Sequence, residues 1–162
     1  MLPFKRLIQT NTAITTFPLM LARVALGLFF FASGFNKLFV PENQMLMLET
    51  LTDAGIPFPA IMAVFVSACE CMLGLTMALG LLTRLSALVL FIISTVALLT
   101  VGIHTIPGGQ NLLTRYSWLL YLPEPLYMLI CLMLMIEGGV RFSLDGWLIK
   151  RGLNARKIVF VH

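Results

Sequence analysis

The stretch from Leu21 to Leu38 reads Leu-Ala-Arg-Val-Ala-Leu-Gly-Leu-Phe-Phe-Phe-Ala-Ser-Gly-Phe-Asn-Lys-Leu. Between Arg23 and Lys37 every residue is uncharged, and with its flanks the run has the roughly 20 residues that a helix needs to cross a hydrocarbon layer of about 30 Å. Only helices and closed barrels satisfy every backbone group in lipid, and the run is too long for one strand. It predicts a membrane-spanning helix from about Leu19 to Val40.

Three more segments of that kind follow. The second runs from Pro59 to Leu82 and the third from Leu85 to Ile103, joined through Thr83 and Arg84 in a tight antiparallel hairpin. The fourth, Ser117 to Glu137, is interrupted by Pro123 and Pro125 and is expected to be kinked or partly unwound, because proline removes a backbone donor and clashes with the preceding turn. The fold class that follows is an all-α integral membrane protein, a four-transmembrane-helix bundle forming one membrane domain over residues 1–162.

Composition excludes a water-soluble alternative: 59% of the chain is apolar and 11% charged, against roughly a quarter charged in soluble domains. The net charge of +4 does not point to nucleic acid, because the Lys and Arg residues stand in short groups between the apolar runs, the pattern of membrane-flanking charge. The partner expected from composition is the lipid bilayer. Apolar segments continue to Glu137, so no cleavable leader is expected.

Lys5, Arg6 and Arg23 flank the start of span one, Arg84 lies in the hairpin, and Arg141, Lys150, Arg151, Arg156 and Lys157 follow span four. By the positive-inside rule that side is cytoplasmic, which puts both termini there. The opposite loops carry Glu42, Glu49 and Asp53, and Tyr116, Trp118 and Tyr121 cluster where span four enters, as interfacial aromatics do. The tail 141–162, with Leu144, Trp147, Leu148 and Leu153 among basic residues, reads as an amphipathic helix along the inner surface.

Ionisable groups inside spans are the strongest functional pointers, since each costs roughly 2.5 to 3.5 kcal/mol at the bilayer centre on insertion scales unless paired or hydrated. Arg23, Gly27, Gly34 and Lys37 share one helical face of span one, and Ala63, Ser67, Glu70, Gly74 and Met77 share one of span two. Glu70 lies roughly 16 Å from the start of its span at 1.5 Å per residue, too deep to reach either surface. Ser86, Ile93, Ala97, Thr100 and His104 form the matching face of span three, and Glu124 sits beside the proline break of span four. Turned inward together, these faces predict an outward-opening polar pocket lined by Arg23, Lys37, Glu70, His104 and Glu124.

Each of these residues also has a plainer reading. Arg23 and Lys37 reach opposite surfaces by snorkelling, Glu70 is a structural partner of Arg23 or a protonated carboxyl, His104 is an interfacial hydrogen bonder, and Glu124 pairs with Arg115. No metal site is expected, because one histidine without clustered Cys or carboxylates holds no ion. Cys69 and Cys71 point about 200° apart on a helix, so neither a disulfide nor a redox pair is expected of them, and with Cys131 they read as small hydrophobes.

The order of these features is itself informative. The Leu21–Leu38 string, Pro57-Phe58-Pro59, Glu70 with Gly74, Gly-Leu-Leu-Thr-Arg from Gly80 to Arg84, His104, Glu124 and Gly-Gly-Val-Arg-Phe-Ser-Leu-Asp from Gly138 to Asp145 make the chain resemble the DoxX family of small bacterial membrane proteins. The resemblance runs from about Leu19 to Asp145. Span four departs from the family pattern, with Glu137, Gly138, Gly139 and Val140 where relatives often carry Gly-Pro-Gly.

The resemblance implies a four-helix bundle in the bacterial inner membrane and a link to quinone-coupled sulfur oxidation or to complexes handling oxidative and thiol stress. The leading expectation is a subunit of, or accessory to, a membrane redox complex, with a quinone or small oxyanion in the polar pocket. No intrinsic cofactor is expected, because no haem, flavin or iron–sulfur ligand set stands in the sequence; electrons would come from other membrane or redox subunits or from the bound substrate. Two further readings stay open: a small transporter, working as a homo-oligomer, and a non-catalytic scaffold for membrane protein assembly.

Overall fold

The computed structural model describes residues 12–109, 111–138 and 143, and is built of helices, with no strand among the described residues. The proposed amphipathic tail and the basic residues Lys5, Arg6, Arg141, Lys150, Arg151, Arg156 and Lys157 lie outside these. In chain order the helices are α1 (Thr12–Phe39), α2 (Pro41–Asp53), α3 (Pro59–Leu79), α4 (Thr83–Thr100), α5 (Leu112–Tyr121) and α6 (Pro123–Glu137), with a 3-10 turn at Gly102–Thr105.

Prolines open α2, α3 and α6 at their first positions, where the missing N–H has no helical partner to lose. Gly80, at φ +73°, stops α3 in the left-handed conformation that glycine adopts without steric cost. Its amide bonds back to Met77 O and the next amide to Thr76 O, and the chain reverses at once into α4.

Phe17–Phe39, Pro59–Leu79 and Thr83–Thr105 are each long and apolar enough to cross a membrane, and only 28% of each apolar window is buried. Most of that apolar surface therefore faces outward, where a bilayer covers it and water does not. Among the described residues the count of spans is three, or four if α5 and α6 are taken as one broken crossing; these two are bent by 70° to each other.

The break differs from the one the sequence suggests. It falls at Leu122, which is extended (φ −73°, ψ 142°), because the residue before a proline is pushed out of the helical region. Pro123 and Pro125 both lie in the first turn of α6, where amides have no intrahelical acceptor, so the second proline costs that helix nothing. At 15 residues, α6 is about 22 Å long. None of the residues of α5 is buried.

The segment between spans one and two, read from the sequence as a loop, holds a further helix, α2. Its placement is fixed by Leu51, which is buried, and by Gln44 Nε2 donating to Leu38 O.

Glycine decides how the spans pack. A Cβ on Gly27 would come within 2.6 Å of Ala78 N and 2.8 Å of Gly74 O; Gly34 stands as close to Ser67 O and Cys71 N, and Gly74 to Phe31 N and Gly27 O. The backbones of α1 and α3 thus touch along a seam of small residues, the way helices associate in a solvent that offers no hydrophobic drive between them. Leu26, Phe30, Met77, Ala87, Leu90, Cys131 and Leu134 fill the core, and the ring of Tyr127 on α6 packs tilted against Phe29 and edge-on against Phe30, with centroids 4.7 and 5.5 Å away.

The end of the bundle at the Gly80–Leu82 turn, the hairpin end, is knit by polar groups. Thr76 Oγ1 and Ser86 Oγ are 3.0 Å apart, and Arg84 Nη2 donates to Ile136 O at 3.3 Å, placing a cation on the last turn of α6 where the helix dipole favours one. The opposite end is open.

Candidate functional site

At that opposite end, α1, α2, α3 and α4 diverge around a cavity of about 530 Å³. Its walls are mostly aliphatic and aromatic: Leu46, Met47 and Leu51 from α2, Met62, Phe65 and Val66 from α3, Ile92, Ile93 and Val96 from α4. The polar groups reaching it are few: Lys37, Asn43, Thr50, Glu70, Thr100 and Glu124. An apolar chamber with a small number of placed polar groups is the usual form of a small-molecule site.

The charges within it come from three helices. Lys37 sits in the last turn of α1, and its Nζ donates to Glu70 Oε2 at 2.7 Å and Oε1 at 3.0 Å; Ser33, one turn back on α1, donates to Oε2 at 3.3 Å. The Glu70 side chain is 7% exposed and that of Lys37 27%. Three donor contacts and an opposite charge are what let a carboxylate stay at mid-span depth.

Glu124 stands in the first turn of α6, where the positive end of the helix dipole suits an acid. Its Oε2 is buried and accepts no hydrogen bond from the protein, a condition that costs roughly 1–3 kcal/mol for an acceptor with no donor. A Cβ added at the buried Gly102 would lie 3.8 Å from that oxygen. Among the described residues no ion pair joins Glu124 to Arg115; the salt bridge there is Lys37–Glu70.

Of the five residues placed together from the sequence, the structure brings Lys37, Glu70 and Glu124 to one cavity and leaves two outside it. Arg23 lies about 21 Å back along α1, 2% exposed at the hairpin end, where its Nη1 and Ser143 stand within 2.8 Å of the position a Gly80 Cβ would occupy. It is therefore no partner of Glu70, and it does not snorkel to a surface. His104 is exposed in the 3-10 turn and does not line the cavity. Position along the spans already put Arg23 near the inner boundary and His104 in the outer half; what the sequence did not give is that the cavity stops short of both.

The faces read from spans two and three fared differently. Ser67, Glu70, Gly74 and Met77 are the buried residues of α3. On α4, Ile93, Ala97 and Thr100 line the cavity, while the packed face is Thr83, Ser86, Ala87, Leu90, Ser94 and Leu98. Missed altogether were Ser33, legible only as the i−4 neighbour of Lys37, and the α2 wall with Asn43 and Thr50, whose signal was the spacing of Leu46, Met47, Thr50 and Leu51. The cysteines are unbonded, and among the described residues no three His, Cys, Asp or Glu side chains converge as metal ligands.

A helical membrane protein with an apolar chamber, one buried ion pair and one unbonded carboxyl oxygen is the class these features define. A family model described as DoxX matches residues 18–103, more than half of the chain, and the chain belongs to the DoxX family. The matched stretch takes in nearly all of the three uninterrupted spans, with Lys37 and Glu70, and stops before His104 and Glu124. No curated protein and no solved structure matches the chain.

Proposed function

We propose that this DoxX-family protein binds an amphipathic small molecule of the quinone kind in the cavity at the end of its bundle, as a subunit of or accessory to a membrane redox complex. The observation that carries the reading is the combination of about 530 Å³ of mostly apolar space with Lys37, Glu70 and Glu124 at its walls. A quinone head matches this in size and chemistry: a flat apolar ring with two oxygens for hydrogen bonds. Lys37 holds two of its possible donations on Glu70 and keeps a third N–H for a ligand oxygen.

The distribution of basic residues supports a bacterial inner-membrane location with both termini cytoplasmic and the cavity on the outer side. No electron carrier is supplied by these side chains, so a redox role rests on other subunits. The transporter reading has one observation in its favour, the 70° bend beside Glu124, since broken helices line many carrier sites.

The test is mild purification followed by native mass spectrometry. Bound quinone in the wild type that is lost in Glu70→Gln supports the reading; a ligand-free protein with a stoichiometric membrane partner would replace it by the scaffold. Uptake by the purified protein in sealed vesicles, with no quinone bound, would favour the carrier.

A further inference from the structure

We propose that α5 is not part of the fourth crossing but lies flat in the lipid interface beside the cavity end of the bundle, with a stripe of leucines sunk among the acyl chains. It does so whatever the cavity binds.

The direction of α5 follows from α6. At one end of α6, Ile136 O accepts from Arg84 in the first turn of α4; at the other, Leu122 and Glu124 stand at Gly102, just past the last turn of α4. Thus α6 runs alongside α4 between the same two ends of the bundle, in the direction in which the spans cross. The axis of α5 is turned 70° from it, nearer the plane of the membrane than its normal. With 10 residues, α5 is about 15 Å long, half the thickness of a hydrocarbon layer of about 30 Å.

Its position follows from burial. A helix laid across the open end of the bundle would bury one face there, yet no residue of α5 is buried and none lines the cavity. The helix therefore extends past the rim, where the bilayer around the spans begins. At 3.6 residues per turn, Leu112, Leu113, Tyr116, Leu119 and Leu120 fall within one arc of about 120°, and Thr114, Arg115, Ser117, Trp118 and Tyr121 fill the rest. Within the stripe only Leu119, at its edge, is half-buried; Leu112 and Leu113 are 89% and 80% exposed.

The occupant of that stripe is lipid. The spans from which α5 projects present apolar flanks to acyl chains, so a row of leucines at their rim meets the same chains. An amphipathic helix of this kind sinks its apolar face about 5–10 Å into the boundary between head groups and chains. Outside the stripe, Arg115, Thr114 and Ser117 suit head groups and water, while Tyr116, Trp118 and Tyr121 supply rings with polar tips, which settle at that level. Glu124, in the first turn of the next helix, lines the cavity, so the anchor also sets the depth of that wall.

Depth is read by tryptophan quenching. In protein carrying Trp118→Phe and Trp147→Phe, a single tryptophan is introduced as Leu113→Trp or as Leu120→Trp, and each protein is reconstituted in phosphatidylcholine brominated near the top, the middle or the end of its acyl chains. Both tryptophans are expected at one shallow depth, quenched most by the uppermost bromines. Native Trp118, read with Trp147→Phe alone, is expected shallower still, a measurement that leaves the stripe untouched. Leu112→Trp and Leu119→Trp, spaced alike, form a second pair should either of the first fail to give monodisperse protein. A depth difference of about 10 Å between the two stripe positions, two turns apart, makes α5 an inclined part of the crossing and overturns the proposal. So does Trp118 lying deeper than both, which reverses the face. Absence of bromine quenching at both stripe positions overturns it as well: quenching by aqueous iodide instead puts α5 in water, and quenching by neither puts its leucines against a second copy or another protein.

Discussion

At the scale of single residues, the Lys37–Glu70 pair is asymmetric, and its two halves are expected to fail differently. Lys37→Met leaves a carboxylate that is 7% exposed without its cation, and is expected to destabilise the protein by about 3 kcal/mol, at the low end for breaking a buried pair. Glu70→Gln leaves a lysine with 27% of its side chain exposed and a longer reach; the expected loss is roughly half as large, about 1–2 kcal/mol. Joining both changes as Lys37→Met with Glu70→Met should recover most of the loss. Thermal unfolding of the purified proteins in one detergent checks the order, and equal losses for the two single variants would count against the asymmetry. That an ion pair existed here was legible, since a mid-span Glu needs a partner. Which cation it takes was not: Arg23 and Lys37 share a helical face, and only the register of α1 against α3 selects between them.

At the scale of elements, the seam between α1 and α3 sets that register. Gly34→Leu places four carbon atoms where Ser67 O and Cys71 N already stand, and backbone cannot yield as a flexible side chain does. We expect loss of monodisperse protein on size exclusion for Gly34→Leu and Gly74→Leu, against near-normal yield for Gly108→Ala, where a Cβ meets open space. The turn that closes the α3–α4 hairpin is sensitive for another reason. Gly80→Ala imposes a left-handed conformation on an L side chain and crowds Arg23 Nη1 and Ser143 at 2.8 Å, so a loss of at least about 1–2 kcal/mol is expected, read as a lowered unfolding temperature. Proline chemistry was legible as an interruption of the fourth segment; its position at Leu122 and its 70° size were not, because a residue before proline leaves the helix by a local rule while the angle is set by what α6 packs against. For α2 the sequence shows a polar stretch with scattered Leu and Met, and its helix gains definition from Leu51 docking on its neighbours.

At the scale of the whole molecule, the arrangement has two unlike ends. The hairpin end is closed by Thr76, Ser86 and Arg84, and the other holds the cavity. In the proposed orientation the basic flanks put the closed end in the cytoplasm. In a variant free of its own cysteines, a cysteine at Gly109 is therefore expected to react with a membrane-impermeant maleimide on intact cells, and a tag after His162 to be reached only after the cells are opened. Labelling of the tag from outside would reverse the orientation and turn the cavity inward.

The amino-acid sequence by itself determined that the chain lives in a bilayer, where its first three spans run, which faces of α1 and α3 turn inward, and its membership of the DoxX family. These follow from local and additive quantities: apolar length against bilayer thickness, helical phase, and the order of motifs. Only the tertiary structure decided that Lys37 rather than Arg23 meets Glu70, that Arg23 and His104 stand away from the cavity, that α2 forms one of its walls, and that Glu124 lines it. Those outcomes depend on the depth and sliding of one helix against another. Helical phase fixes the direction of a side chain about its own axis, while position along that axis is settled by glycine seams and by the bend at Leu122.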